Sequence, residues 1–246
     1  MPETIVIGDM HGHADALRGL IDKILPRVHA DTTIVTLGDY IDRGPSSRDV
    51  IDQLLNLKLH TSGQLVSLLG NHEDWMLQSL NDHTKHPWLL GMDGLSTIQS
   101  YSSAAAAAIR DRLTALGPRI YTERVSLPYD LFFDTLPDSH LRFFQELQVC
   151  YEDQHGFYSH AGLDPLYPLS EQNRQVLVWG EHTNFQCYSG KPVVYGHWNN
   201  MLADDGGNRV PRRAGDTYGI DSIADGVLTA LHLPSLNVTH AQTESV

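Results

Sequence analysis

Only two cysteines, Cys150 and Cys187, occur among 246 residues, too few for a disulfide framework. No apolar run approaches the roughly 20 residues of a membrane-spanning helix. Basic residues are scarce too: 17 Lys and Arg stand against 30 Asp and Glu, a formal net charge of −13. That balance excludes broad electrostatic attraction to nucleic acid or to an anionic membrane, and neither is expected as a partner. The first residues lack the basic patch and apolar core of a secretion signal, and no internal repeat is present. A reducing, cytoplasmic setting is the expectation. With 41% hydrophobic and 19% charged residues, the chain is globular in composition and long enough for a sizeable α/β core. What it has in number is histidine, 14 in all. His29, His60, His83 and His86 lie in polar stretches and read as surface residues; His155, His182 and His232 belong to no motif.

Three short motifs near the N-terminus carry the information. They are Gly8-Asp9-Met10-His11-Gly12-His13, Gly38-Asp39-Tyr40-Ile41-Asp42-Arg43-Gly44 and Gly70-Asn71-His72-Glu73-Asp74. Each follows an apolar run that reads as a buried parallel strand: Thr4 to Ile7, Thr33 to Leu37, Leu65 to Leu69. Helical periodicity follows the first at Leu17, Leu20, Ile21, Ile24 and Leu25, and the second at Val50, Ile51, Leu54 and Leu55, with Ser46 or Ser47 as cap. The β-α-β-α-β order predicts parallel strands and right-handed crossovers. Open α/β sheets carry their sites at the C-terminal ends of such strands.

The middle, about 81–137, holds Trp88, an alanine run from Ala104 to Ala108, and Ile109 to Leu116. It is read as a mainly helical insertion without recognisable chemistry, lying over or beside the site or serving as a structural cap. Strand signals resume at Leu147 to Tyr151 and Gly156 to Ser159, leading to His160-Ala161-Gly162; Pro192 to Tyr195 leads to Gly196-His197. Thr217 to Ile220 and Gly226 to Leu233 read as a hairpin-like pair. The expected organisation is one domain over 1–233 and a polar, frayed tail over 234–246.

Strand ends delivering Asp, Asn and His to one place provide what a metal centre needs. Asp9 and His11 sit two apart on a turn made compact by glycines. Asp39 brings two oxygens and can bridge two ions, Asn71 an amide oxygen, His160 and His197 imidazoles. The mixed N/O set suits two divalent ions, manganese first, iron or zinc as alternatives, and the absence of Cys from it argues against structural zinc. Two such ions can hold a bridging hydroxide for direct attack on phosphorus. Arg43 is then the phosphate clamp, since guanidinium matches phosphate in a bidentate way. His72 is the leaving-group acid and Asp42 its orienting carboxylate. His13, Glu73 and Asp74 are expected to tune the site, cap helices or face solvent.

Together with His160-Ala161-Gly162 and Gly196-His197, these motifs resemble the signature set of the phosphoprotein phosphatase family within the calcineurin-like metallophosphoesterases. The stretches Leu136-Pro137, Val178-Trp179, Tyr218-Gly219-Ile220-Asp221 and Leu228-Thr229-Ala230-Leu231 are similar to the small bacterial serine/threonine phosphatases. The resemblance implies a β-sandwich flanked by helices, an α/β fold with a dinuclear centre. It implies Asp9, His11 and Asp39 on one metal, and Asp39, Asn71, His160 and His197 on the other. It further implies a phosphorylated protein or peptide as substrate, Ser/Thr and also Tyr. The alternative is a symmetrical dinucleoside tetraphosphatase or another small-molecule phosphoesterase; the tetraphosphatases usually carry a small apolar residue where Asp42 stands. Departures concern the pocket. Gly180-Glu181 follows Trp179 where the bacterial subgroup has Arg. No Arg lies in Asp74 to Leu80. Trp198-Asn199 stands where Thr-Pro is usual, and Ser222-Ile223-Ala224 where a Gly is expected. Arg212 and Arg213 are candidates for the missing second phosphate contact.

Overall fold

A computed structural model describes residues 2–181, 185–203 and 209–244; His182 lies outside them. The N-terminal half alternates β1 (Glu3–Ile7), α1 (Ala14–Ile24), β2 (Thr32–Thr36), α2 (Ser47–His60), β3 (Gln64–Ser67) and α3 (Asn71–Asn81). Five helices follow: α4 (Pro87–Gly91), α5 (Gly94–Tyr101), α6 (Ser103–Leu116), α7 (Arg119–Thr122) and α8 (Asp130–Phe133). Then come α9 (Asp138–Gln145), β4 (Cys150–Glu152), β5 (Phe157–Ser159), α10 (Arg174–Trp179) and β6 (Val193–Tyr195). The chain closes with β7 (Met201–Ala203), β8 (Arg209–Ala214), β9 (Thr217–Gly219), β10 (Val227–Leu233) and β11 (Asn237–Gln242).

The strands form two mixed sheets, β11-β10-β1-β2-β3 and β4-β5-β6-β9-β8-β7. Side chains alternate across the first sheet with the two-residue period of a strand. Val6, Val35, Leu231 and Leu233 point one way and meet Tyr158, Val194 and Tyr218 of the second sheet and Ile220 just after β9. Ile5, Ile7, Ile34, Leu228 and Ala230 point the other way, onto Leu17, Leu20, Val50 and Leu54 of the helices. The outer face of the second sheet buries Phe157, Val193 and Tyr195 with Leu177 and Phe185. The result is a β-sandwich flanked by helices, the α/β fold the motifs implied. None of its described helices is long and apolar enough to cross a membrane.

Two expectations for the C-terminus fail. Thr217 to Ile220 and Gly226 to Leu233 do not pair with each other. β9 runs parallel to β6 and antiparallel to β8, while β10 runs antiparallel to β1 and β11. The turn at Ile223–Asp225 carries the chain from one sheet to the other. The tail does not fray over Asn237–Gln242 either, because β11 continues the first sheet beyond β10 and buries Ala241 beside Gly19 of α1. A two-residue alternation of Val238 with polar neighbours is too faint a signal to read as a strand. His86, expected at the surface, is 7% exposed and bonds Tyr129 and the Val125 carbonyl. Replacing Ala241 by Asp would place an unpaired charge in the α1–β11 contact. It should cost at least about 2 kcal/mol in urea-monitored unfolding, whereas a tail without structural weight would leave stability unchanged.

Candidate metal centre

The three N-terminal loops interlock before any ligand chemistry is considered. Met10 and His11 N–H donate to the Asp39 carbonyl at 3.0 and 2.8 Å, Gly12 N–H to Tyr40 at 2.9 Å, and Gly44 N–H back to His11 at 2.9 Å. The Gly12 and Gly44 backbones are so close that a Cβ on Gly12 would lie 2.7 Å from the Gly44 carbonyl oxygen. Glu73, fully buried, receives Asp39, Tyr40 and Ile41 N–H at 3.0, 2.9 and 3.2 Å. That clamp fixes the loop in which Asp39, Asp42 and Arg43 all have positive φ, at 51°, 71° and 65°; His11 and His197 do too, at 40° and 67°. Such conformations cost on the order of 1–3 kcal/mol each and persist only where the surroundings over-determine them.

The clamp aims the side chains. His11 Nδ1 meets the Ile41 carbonyl at 3.0 Å and His160 Nδ1 the Leu37 carbonyl at 3.0 Å. A carbonyl only accepts, so each Nδ1 carries the proton and each Nε2 offers a lone pair. These lone pairs converge on Asp39: His11 Nε2 is 3.4 Å from Oδ2 and His160 Nε2 3.4 Å from Oδ1. His197 Nδ1 stands 3.2 Å from His160 Nε2 and 3.1 Å from Asn71 Oδ1, which is 3.0 Å from His160 Nε2. Two triads result, His11–Asp39–His72 and Asp39–His160–His197, the potential ligand atoms of each lying within 4.8 Å of one another. Asp39 belongs to both. Asp9 joins through Oδ2, which accepts His197 N–H at 2.9 Å, while its Oδ1 is buried without a partner among the described residues and is faced by Gly196.

As hydrogen bonding this arrangement fails. Asn71 would do better turned over, its nitrogen donating to His160, His197 and Asp39. With its oxygen inward, acceptors face acceptors and Asp9 Oδ1 is orphaned. A cation corrects both faults, so the donor set fits divalent metal. The electrostatics agree. Burial lowers His11 and His197 to about 3 and lowers His160, keeping them neutral as ligands must be. Burial alone would raise Asp39, but His160, His72, His11 and His197 outweigh it and hold the carboxyl below its ordinary range. Burial raises Asp9 well above that range, with Asp221 and Asp39 adding repulsion. Burial also lifts Asp221 to about 7 and Glu73 to about 8.

Beside the cluster, His72 Nδ1 meets Asp42 Oδ2 at 2.7 Å and Arg43 Nη2 stands 3.4 Å from His72 Nε2. Nε2 is also 3.8 Å from Asp39 Oδ2. Burial acts to lower His72, but the carboxylates of Asp39 and Asp42 prevail and raise it. Asp42 is itself held from the helical segment: Trp88 Nε1 donates to its oxygens at 2.9 and 3.1 Å, Thr97 Oγ1 donates to Oδ1, and its N–H reaches Thr97 Oγ1 at 2.8 Å.

All nine side chains named from the sequence therefore come together: Asp9, His11, Asp39, Asn71, His160 and His197 with Asp42, Arg43 and His72. Trp88, Thr97 and Asp221 were not singled out for the site, and Glu73, expected to tune the site, cap a helix or face solvent, clamps the second loop. Glu73 follows His72 directly in its motif, whereas nothing local marks Trp88 or Thr97, 46 and 55 residues from Asp42. Arg213 lies over the Tyr218 ring and 3.7 Å from Asp216. A cation the sequence did not suggest, Arg174, pairs with Asp74 at 2.6 Å.

Residues 3–224 match the family model described as calcineurin-like phosphoesterase. Serine/threonine-protein phosphatase 2 of Escherichia coli is 34% identical over 86 residues, covering 34% of this chain and 35% of that protein. The zinc-dependent endopolyphosphatase of Saccharomyces cerevisiae is 38% identical over 71 residues, 29% of this chain and 21% of that protein. The chain thus spans about a third or less of the curated relatives it matches. A solved structure titled "putative diadenosine tetraphosphatase" superposes over 100% of this chain and 95% of its own, with a TM-score of 0.64 at 17% identity.

The raised carboxyls fix the pH response of the metal-free protein. A group whose folded pKa exceeds its unfolded value stabilises fully below the unfolded value and ceases to as pH rises through the folded one. Asp221 and Glu73 lose their contributions through about 7 and about 8. The lowered imidazoles act at the acid end, weakening the fold as pH falls below 6.5. The melting temperature in chelator should fall between pH 6.5 and 9, and added manganese should abolish the decline; an unchanged slope would count against the donor set. Glu73→Ala should weaken metal binding about 10- to 100-fold in calorimetric titration, as loss of an outer hydrogen bond to a ligand loop does.

Proposed function

The chain belongs to the calcineurin-like phosphoesterase family, and from that premise we propose that it is a metal-dependent phosphomonoesterase acting on phosphorylated Ser and Thr side chains of proteins, with Tyr also accepted. The observation that carries this reading is the Asp42–His72–Arg43 set standing against a cluster of cation-seeking donors. Asp9, His11 and Asp39 would hold one ion, and Asp39, Asn71, His160 and His197 a second; manganese is preferred and zinc or iron are the alternatives. Bound there, the ions supply Lewis-acid neutralisation of the phosphoryl oxygens and make water acidic enough to act near neutral pH.

The protein's own groups do the rest. Arg43 is exposed at the rim and binds phosphoryl oxygens. His72, charged through Asp39 and Asp42, presents Nε2–H to the ester oxygen. As water's oxygen bonds phosphorus and the ester bond breaks, that proton passes to the leaving alkoxide. Water's proton returns to His72, and Asp42 holds the ring in register throughout. No phosphorylated enzyme is formed. Both cysteines are free, which supports a reducing, cytoplasmic setting.

Hydrolysis of dinucleoside tetraphosphates is the rival, and Asp42 weighs against it. Metal-stripped protein given manganese should release phosphate from a phosphoserine peptide; turnover of a dinucleoside tetraphosphate alone would install the rival. His72→Asn should lower turnover about 10²-fold or more with metal still bound, and an unchanged rate would remove His72 from the acid's role.

A further inference from the structure

The substrate must meet more than the polar cluster, because an aromatic wall begins beside it. We infer that the indole of Trp198 is a specificity-determining surface that adds selectivity for esters carrying a planar aromatic ring to the Ser/Thr activity proposed above; this rests on the phosphomonoesterase reading. Trp198 follows His197 directly. Its N–H donates to the Gly196 carbonyl at 2.8 Å across His197, whose φ is 67°. This three-residue turn with positive φ is a rare, strained form. The strain points two consecutive side chains to fixed places: His197 into the donor cluster, Trp198 to its flank. The two rings lie 4.4 Å apart, edge to face at 73°.

The indole is seated but not covered. Gly180 gives it room, since a Cβ there would lie 3.1 Å from Trp198 Cζ2. Trp198 nevertheless remains 37% exposed. Behind Gly180 the support is rigid. Trp179 packs on Trp75 with ring centroids 4.5 Å apart and donates Nε1–H to Asp74 at 2.9 Å. Arg174 neutralises the same carboxylate at 2.6 Å, so Asp74 does not repel an incoming phosphate ester.

A large, held, half-open π-face one side chain from a phosphate site does two things. It gains by desolvation when a flat ring covers it, and it offers offset or edge-to-face contact that an aliphatic side chain cannot match. A phosphoserine presents only a methylene there, whereas phosphotyrosine and nucleoside phosphates both present a ring. The shared chemistry is the ring, and the two sources separate by experiment.

The test compares kcat/KM of wild type, Trp198→Ala and Trp198→Phe, loaded with manganese. The substrates are a phosphotyrosine peptide, its phosphoserine counterpart and a dinucleoside tetraphosphate. Trp198→Ala should lower kcat/KM for a ring-bearing substrate about tenfold, through KM, and Phe should restore most of it. The phosphoserine peptide should change less than about twofold. Loss confined to the phosphotyrosine peptide names a tyrosyl ring; loss confined to the nucleotide names a base. Equal loss on all three substrates, or none on any, overturns the inference. A readout independent of turnover is quenching of tryptophan fluorescence in the metal-free protein by phenyl phosphate, expected in wild type and absent in Trp198→Ala. Quenching that survives the substitution also overturns it. If no ester is hydrolysed at all, the parent reading fails while the quenching still decides the role of the wall.

Discussion

Asp39 is a buried carboxylate hemmed by imidazoles, with the lone pairs of His11 and His160 aimed at it. Nearly every other feature of the molecule exists to make that tolerable. Left alone, such a group would take up a proton or the pocket would open. It stays ionised because four histidines share its field. Three of them, His11, His160 and His197, stay neutral because burial discourages their charge, while the carboxylates beside His72 raise it. The balance has one natural completion, which is positive charge at the centre of the cluster.

Holding that balance requires a backbone that resists relaxation. Five site residues sit in left-handed conformations, and they cannot move separately. The first loop is hydrogen-bonded to the second, the second is clamped by Glu73 at the start of α3, and α3 begins at Asn71, itself a donor to the cluster. The helical segment closes the set by gripping Asp42 through Trp88 and Thr97. It is therefore more than a cover, since it sets the orientation of the carboxylate that holds His72.

The sequence made the strand ends readable because a buried parallel strand is a short apolar run, and a glycine with Asp, Asn or His after it marks where the run stops. Those signals are local, and the nine named side chains are the ones the fold assembles. What escaped lies at distance. Thr97 is an unremarkable helix residue until Asp42 arrives from the second strand. β9 and β10 look like hairpin arms because periodicity reports which faces are apolar but not which sheet a strand joins. Glu73 reads equally as a residue that tunes the site, caps a helix or faces solvent, and only its three backbone partners, in another loop, decide among these.

Spreading the donors so widely along the chain imposes an order on its birth. Asp9, His11 and Asp39, assigned to one ion, and His72, the proposed acid, all lie in the first 72 residues, whereas the neighbouring triad lacks His160 and His197 until the chain is far longer. The contact that ties Asp9 to His197 spans 188 positions. Closing so long a loop is slow compared with local folding. An elongating chain therefore passes through lengths at which half of the centre can form while the other half has not been synthesised. The finished cluster is in this sense a record of completion, available only to a molecule whose two sheets have already met.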